Sequence, residues 1–292
     1  MTPYMTIGEK LFQVFLVVFI SVLSIMMVYP FIHELSISFS TTKEALRYGV
    51  HIFPLERSLD AYATVFASDS LWRDFGNTIF RTVVGTFLSL IFMTMSGYAL
   101  SKKTLPNRGF WTLFIVFTMF FSGGLIPTFL LVKSLGLYDS RWAYIIPVLY
   151  QTFSMLIMRN FFMGIPEELE DSAKMDGAND ISVLFRIIVP LSMPILATIA
   201  LWTAVYHWNE WFLAMIYVQD PDKTVLQIFL RKLIIQNSGN DMADMMASLN
   251  TQATPDTIRA AVLMVTTLPI LCFYPFLQKY FVKGILVGSL KG

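Results

Sequence analysis

The side chains able to do chemistry concentrate in one apolar segment. The stretch LWTAVYHWNEWFLAM sets His207, Asn209 and Glu210 among Trp202, Tyr206, Trp208, Trp211 and Phe212. An ionisable group inside a long apolar run is costly to desolvate and is expected to face a bundle interior or a water-filled cavity. Aromatic faces beside an amide and a carboxylate are what small-molecule sites combine: apolar walls with a few orienting polar groups. Sugars suit such a site, because their C–H faces stack on rings and their hydroxyls need hydrogen-bond partners. The other reading of the same residues is an aromatic belt at a membrane interface.

A second segment is unusual for the opposite reason. GIPEELEDSAKMDGANDISVLFRIIVPLSMP, Gly164 to Pro194, is the longest strongly polar stretch in the middle of a very apolar chain. Pro166 suits the first position of a helix. Glu167, Glu168, Glu170 and Asp171 complement the positive end of its dipole. Gly177 can take the left-handed conformation that ends a helix. A second helix can restart near Asp180 and run apolar from Val183. The expectation is a short helix, a sharp glycine turn and the entrance to a further helix. A plain solvated acidic helix between two spans would read the same way on composition alone.

These segments need a frame to hold them. The chain has 55% hydrophobic and only 14% charged residues, with a mean hydropathy of +0.62, against about 25% charged in a soluble domain. The apolar residues come in runs long enough to span a bilayer, which takes about 20 residues. Six spans are expected, at about Leu11–Phe39, Phe75–Leu100, Phe110–Val132, Trp142–Phe162, Leu184–Tyr217 and Ile258–Phe281. The first run is too long for a cleaved signal, and no small-residue cleavage site follows it. Span three holds Gly123, Gly124 and Pro127, so it is expected to kink or end there. Residues 1–74 read as an N-terminal span with its external loop, and 75–292 as the core domain.

Basic residues in short loops orient the bundle. Lys10, the loop with Lys102, Lys103 and Arg108, and the tail with Lys279, Lys283 and Lys291 fall on one side if there are six spans. Both termini are therefore expected in the cytoplasm, with the 164–194 loop on the same side. The external loops are roughly 40–74 and 219–257. In the latter, Val225–Gln236 has the periodicity of a short amphipathic helix. Arg81 and Arg159 are expected to snorkel from span ends, although Arg81 could instead meet an acidic sugar. Cys272 is expected as a buried small apolar residue, since one thiol forms no internal disulfide.

The polar loop carries a resemblance. Asp171, Ser172, Ala173, Asp176, Gly177 and Ala178, followed by Phe185, Pro190 and Pro194, resemble the "EAA" loop of binding-protein-dependent ABC importer permeases. Asp171 and Ser172 depart mildly from that family's Glu and Ala. Span three and the tail KYFVKGILVGSLKG are similar to the LplC/YtcP-like branch of the maltose-type carbohydrate-uptake permeases. The resemblance implies an all-α membrane protein, six transmembrane helices in a type I ABC importer permease fold with a cytoplasmic coupling helix. It implies a multi-pass subunit of the bacterial plasma (inner) membrane. Glu170, Asp171, Ser172, Ala173, Asp176, Gly177, Ala178 and Phe185 would meet an ATPase, and Trp202, Tyr206, His207, Asn209, Glu210 and Trp211 would line an oligosaccharide pathway. The implied partners are a second, homologous permease in a heterodimer, an ATPase homodimer, an extracytoplasmic solute-binding protein and membrane lipid. Some relatives in this branch carry uronate-containing oligosaccharides.

No chemistry of bond making is expected here. The sequence has no G-x-x-x-x-G-K-[ST] phosphate loop, no H-E-x-x-H and no C-x-x-C, and His33, His51 and His207 are far apart. ATP and Mg would sit on the partner ATPase, with no cofactor or metal on this chain. A net charge of +1 gives no hint of nucleic acid. Two rivals remain at this point. An ion-coupled secondary sugar transporter would need a mid-membrane acid, for which Glu210 is the one candidate, and usually shows inverted repeats. A structural subunit would only anchor a complex.

Overall fold

The computed structural model describes residues 6–235 and 253–289, with the side chains of 6–233 and 253–272. The polar stretch 236–252, the side chains of Lys279 and Lys283, and Lys291 lie outside the described residues. The described chain is helical between its turns, with one isolated antiparallel bridge joining Ser40 and Arg57.

The helices are α1 (Ile7–Ser38), α2 (Thr42–Ala45), α3 (Asp60–Phe66), α4 (Asp69–Ser101), α5 (Arg108–Phe120), α6 (Leu125–Ser134), α7 (Thr152–Met163), α8 (Glu168–Met175), α9 (Asp180–Val183), α10 (Val189–Leu191), α11 (Met193–Asn209), α12 (Phe212–Tyr217), α13 (Leu226–Ile235) and α14 (Pro255–Ser289). Helices α1, α4 and α14 are each long and apolar enough to cross a membrane alone. Three bent pairs do so together, making six spans when each pair counts as one. Span three turns by 112° between α5 and α6, span four by 50° before α7, and span five by 85° between α10 and α11.

Local chemistry accounts for the bends. Between α5 and α6, Phe121 is extended and Gly124 has φ +84°, a conformation open chiefly to glycine. In span five a five-residue π turn, Leu184–Ile188, precedes Pro190, and Pro194 follows Ser192. Each proline removes a backbone donor, and π turns are a known seat of kinks. Span three thus breaks at Gly124, as its glycines predict, and span five beside Pro190 and Pro194, whereas α1 runs unbroken through Pro30 and α4 through Gly76, Gly85 and Gly97. Helix α13 forms where the periodicity predicts it.

The chain forms two compact units, one of Met1–Asp69 with Leu230–Thr267 and the other of Ser70–Phe229 with Leu268–Gly292. In the first, α1 opens with a capping box: Glu9 N donates to Thr6 Oγ1 at 3.3 Å, and Thr6 N donates to Glu9 Oε2 at 2.7 Å. Its apolar residues from Ile7 to Ile32 are exposed on this chain, while Ser36 and Ser38 are buried at its end. There the Ser38 and Tyr62 hydroxyls pair at 2.9 Å.

The second unit has one main core. Met93, Tyr98 and Leu100 of α4, Met155, Met158 and Phe162 of α7, Val183, Leu184 and Ile188 of the π-turn segment, and Ile199 of α11 form one buried cluster. A second cluster joins Tyr144 and Ile145 to Ala214, Val218, Val225 and Ile228. Cys272, expected to be buried, is instead exposed on α14. The physical reason is that lipid is as apolar as a protein core, so a small apolar side chain in a membrane helix gains little by turning inward.

Candidate functional site

Two places in the second unit gather the sequence-predicted residues. The first is the end of α11. Arg81, expected to snorkel, lies well inside α4 and is fully buried. Its guanidinium forms an ion pair with the Glu210 carboxylate and donates a further hydrogen bond to the Glu210 carbonyl. It also lies 5.0 Å from the centre of the Tyr144 ring. Burial explains the correction: Arg81 sits too far from the helix end for its charge to reach water, so it is met by a fixed carboxylate instead.

Glu210 does three jobs at a break in the chain. It terminates α11 with extended backbone, φ −74° and ψ 123°. Its carbonyl, freed from the helix ladder, accepts from Arg81, and its Oε1 accepts from Leu213 N at 2.8 Å in the first turn of α12. The helix-terminal groups that would otherwise be orphaned are thus satisfied locally. Residues of α4 also hold the segment after α12. Asn77 donates to the carbonyls of Asp222 and Thr224 at 2.9 and 2.8 Å, Thr224 Oγ1 donates to Asp74 at 2.7 Å, and Leu226 N donates to Thr78 Oγ1 at 2.8 Å.

The remaining members of the cluster divide between two faces. His207 is fully buried and lies against Gly85, where a Cβ would come within 2.6 Å of the imidazole. Trp202 and Tyr206 are each 40% exposed, and Asn209 is exposed beside them. Their spacing of four and three residues puts them on one helix face. The Asn209 amide donates back to Val205 O at 2.9 Å. Trp211 is partly buried against the second core cluster, while Phe212 is 40% exposed. The surface left for a ligand is therefore Trp202, Tyr206, Asn209 and Phe212: stacking faces with one amide.

The second place is the loop around α8. The helix begins at Glu168, not at Pro166, because a tighter turn with Glu170 N donating to Glu167 O at 3.0 Å precedes the α pattern. It ends as expected on Gly177, φ +83°. Ala178 N donates to Ala173 O at 2.9 Å and Gly177 N to Lys174 O at 3.0 Å, the paired bonds of a Schellman end. Asn179 then accepts from Ser182 N at 2.8 Å and starts α9.

The side chains of this loop also divide. Glu170 turns inward, is 8% exposed, and pairs with Lys102 while accepting from the Tyr98 hydroxyl at 3.2 Å. The Lys102 ammonium sits 4.2 Å from the centre of the Tyr98 ring. Ala173 and Ala178 lie against the main core cluster. Asp171, Ser172, Asp176 and Gly177 are exposed, as are Phe185 and the unforeseen Leu169, Met175 and Ile181. Apolar residues in an acidic loop were the signal for these three. At the rim, the Lys103 ammonium 2.8 Å from Glu167 holds that carboxyl below its ordinary value, and Asp180 beside Lys174 raises that ammonium.

Arg159, also expected to snorkel, donates to Leu100 O at 3.2 Å, and Arg108 Nε donates to the same carbonyl at 2.9 Å. Both cations thus sit at the negative end of the α4 dipole.

Three comparisons bear on this geometry. The family described as binding-protein-dependent transport system inner membrane component matches residues 104–287. The polygalacturonan/rhamnogalacturonan transport system permease protein YtcP of Bacillus subtilis (strain 168) is 42% identical, over 97% of this chain and 99% of its own. Protein LplC of the same organism is 41% identical, over 100% and 98%. A solved bacterial ABC transporter involved in import of the acidic polysaccharide alginate has a chain that superposes with a TM-score of 0.91 at 34% identity, covering 96% of this chain and all of that one.

Proposed function

From the premise that this chain belongs to the family of binding-protein-dependent transport system inner membrane components, we propose that it forms one half of an import pathway for acidic, uronate-containing oligosaccharides. The coarser statement is plain: the chain is a membrane permease of an ABC carbohydrate importer, with the type I permease fold, and is not an enzyme. Membership removes the ion-coupled secondary transporter, and the one acid that reading needed, Glu210, is neutralised by Arg81.

The observation that carries the finer reading is the α8 loop. It is a short helix ending on Gly177, buried on one side by Glu170 and Ala173, with Asp171, Met175, Ile181 and Phe185 left outward. A mixed acidic and apolar face on a firmly seated helix suits docking into a groove of an ATPase subunit. ATP is hydrolysed there, and the motion reaches the spans through α8. Both termini and the α8 loop lie in the cytoplasm, a second permease completes the pathway, and a solute-binding protein delivers substrate on the other side.

Uronate specificity is supported by the substrates of the polygalacturonan/rhamnogalacturonan relative and of the alginate importer. On this chain the sugar ring would stack on Trp202, Tyr206 and Phe212 with Asn209 taking a hydroxyl. Arg81 does not read the carboxylate, because Glu210 already occupies it.

The test is purification of the tagged chain from its native membrane with its bound proteins. A second permease and an ATPase, with import that stops when ATP is depleted, support the reading. A chain that emerges alone from conditions preserving other complexes overturns it. Competition by oligogalacturonate, and none by neutral glucans, supports the substrate class.

A further inference from the structure

We propose that α4 acts as a connecting rod, tying α8 to the break between α11 and α12 through two ion pairs, Lys102–Glu170 and Arg81–Glu210. The proposal rests on the reading of α8 as the ATPase contact and adds a route by which its motion crosses the protein.

The first support is stiffness. Helix α4 runs unbroken over 33 residues. The route through the chain itself, from α8 into span five, passes a π turn, two prolines and an 85° bend. A push on α8 would be absorbed at those joints before it reached Glu210. From Arg81 to Ser101, the last residue of α4 and the neighbour of Lys102, the helix runs about 30 Å at 1.5 Å per residue.

The second support is how each end is attached. At one end Glu170 is held by Lys102 and by the Tyr98 hydroxyl, with Lys102 seated on the Tyr98 ring. At the other, Arg81 holds both the carboxylate and the carbonyl of Glu210. Asp74, Asn77 and Thr78 hold the segment that follows α12. Arg81 and Glu170 are buried, while the Lys102 side chain is 25% exposed; separating either pair leaves the buried charge uncompensated in a poor dielectric, so such joints move together rather than slip. The neighbouring Lys103–Glu167 pair is 75% and 70% exposed and lacks this property.

The consequence falls on the candidate pathway. Glu210 also anchors Leu213 N, so a displacement of α4 along its axis drags the break and reorients α12 against α11. That would move Phe212 relative to Tyr206 and Asn209. Lys102, Glu170, Arg81 and Glu210 are positioning residues in this scheme and need not touch sugar or nucleotide.

The experiment uses the whole importer, purified through this chain and reconstituted in vesicles with its binding protein. Bound ATPase, ATP hydrolysis and sugar uptake are read separately. Lys102→Met is expected to keep the ATPase bound and hydrolysing while uptake falls roughly tenfold or more, the scale of a lost coupling between sites. The exchanged pair, Lys102→Glu with Glu170→Lys, is expected to recover uptake, and Lys103→Met, which breaks only an exposed pair, to lose little. Glu210→Gln is expected to uncouple in the same way. Parental uptake by Lys102→Met overturns the proposal, as does a loss that comes with loss of the ATPase or that the exchanged pair fails to recover. A parent complex carrying no ATPase overturns the underlying reading instead, and the rod with it.

Discussion

Gly85 and His207 meet across α4 and α11 so closely that the imidazole occupies the space where any other residue at 85 would carry its Cβ. His207 is fully buried there. The contact sets the approach of spans two and five. Gly85→Ala is expected to destabilise the unit by about 1–3 kcal/mol, the usual cost of overpacking. Thermal unfolding in detergent checks this, and His207→Ala in the same chain should recover most of the loss. A Gly85→Ala variant as stable as the parent would refute the close contact.

The Arg81–Glu210 pair should respond asymmetrically. Arg81→Met alone leaves a buried carboxylate unpaired and is expected to cost about 3–5 kcal/mol, whereas the double change Arg81→Met with Glu210→Met removes both charges at much lower cost. Melting temperatures of the two variants give the comparison. Equal losses would show that Arg81 serves mainly as packing.

Gly177 should accept little else. Its φ of +83° costs an ordinary L-residue about 1–2 kcal/mol, and Asn less. Gly177→Val should therefore loosen the end of α8 and weaken ATPase retention on purification, with Gly177→Asn intermediate. Normal import by Gly177→Pro would argue against docking at this turn.

Trp202→Ala, Tyr206→Ala and Asn209→Ala should lower import by roughly tenfold each, about the worth of one stacking or hydrogen-bonding contact in a site. Subunit assembly should be unchanged, because these side chains are exposed and the core does not rest on them. Unchanged uptake in all three would remove this face from the pathway.

ATPase retention should be flat in pH near neutrality. The Glu167 carboxyl is held low by Lys103, so its contribution is present above the ordinary carboxylate value of 4.5 and lost only as pH falls through its still lower folded value. The Lys174 ammonium is held high by Asp180, so its contribution is present below 10.5 and lost only as pH rises beyond that. Both windows lie outside about pH 6–8. Raised salt should weaken these exposed pairs and leave Lys102–Glu170 largely intact. Pull-down across pH and salt measures both effects, and a step near pH 6.5 would point to a histidine instead.

The sequence by itself determined the apolar runs, the acidic loop between two of them, its glycine end and the aromatic–polar cluster at 202–212. These properties are local: span length follows from hydropathy, and the turn at Gly177 from the lack of a Cβ. It also marked the irregularity of span three through Gly123 and Gly124, though not the 112° turn, whose angle depends on what the two halves pack against.

Only the tertiary structure decided which polar residues are free. Arg81 and Glu210 are 129 residues apart in the chain and meet because α4 and α11 approach closely where Gly85 faces His207. Glu170 and Asp171 are neighbours of like charge, yet one turns to Lys102 and the other outward. His207 and Asn209 are two positions apart and face opposite environments. The reason is common to the first two. Placing a charge or an amide in an apolar medium costs too much unless a partner is found. In a helix the partner is set by rotation about the axis and by the neighbouring helix, neither of which residue type alone specifies.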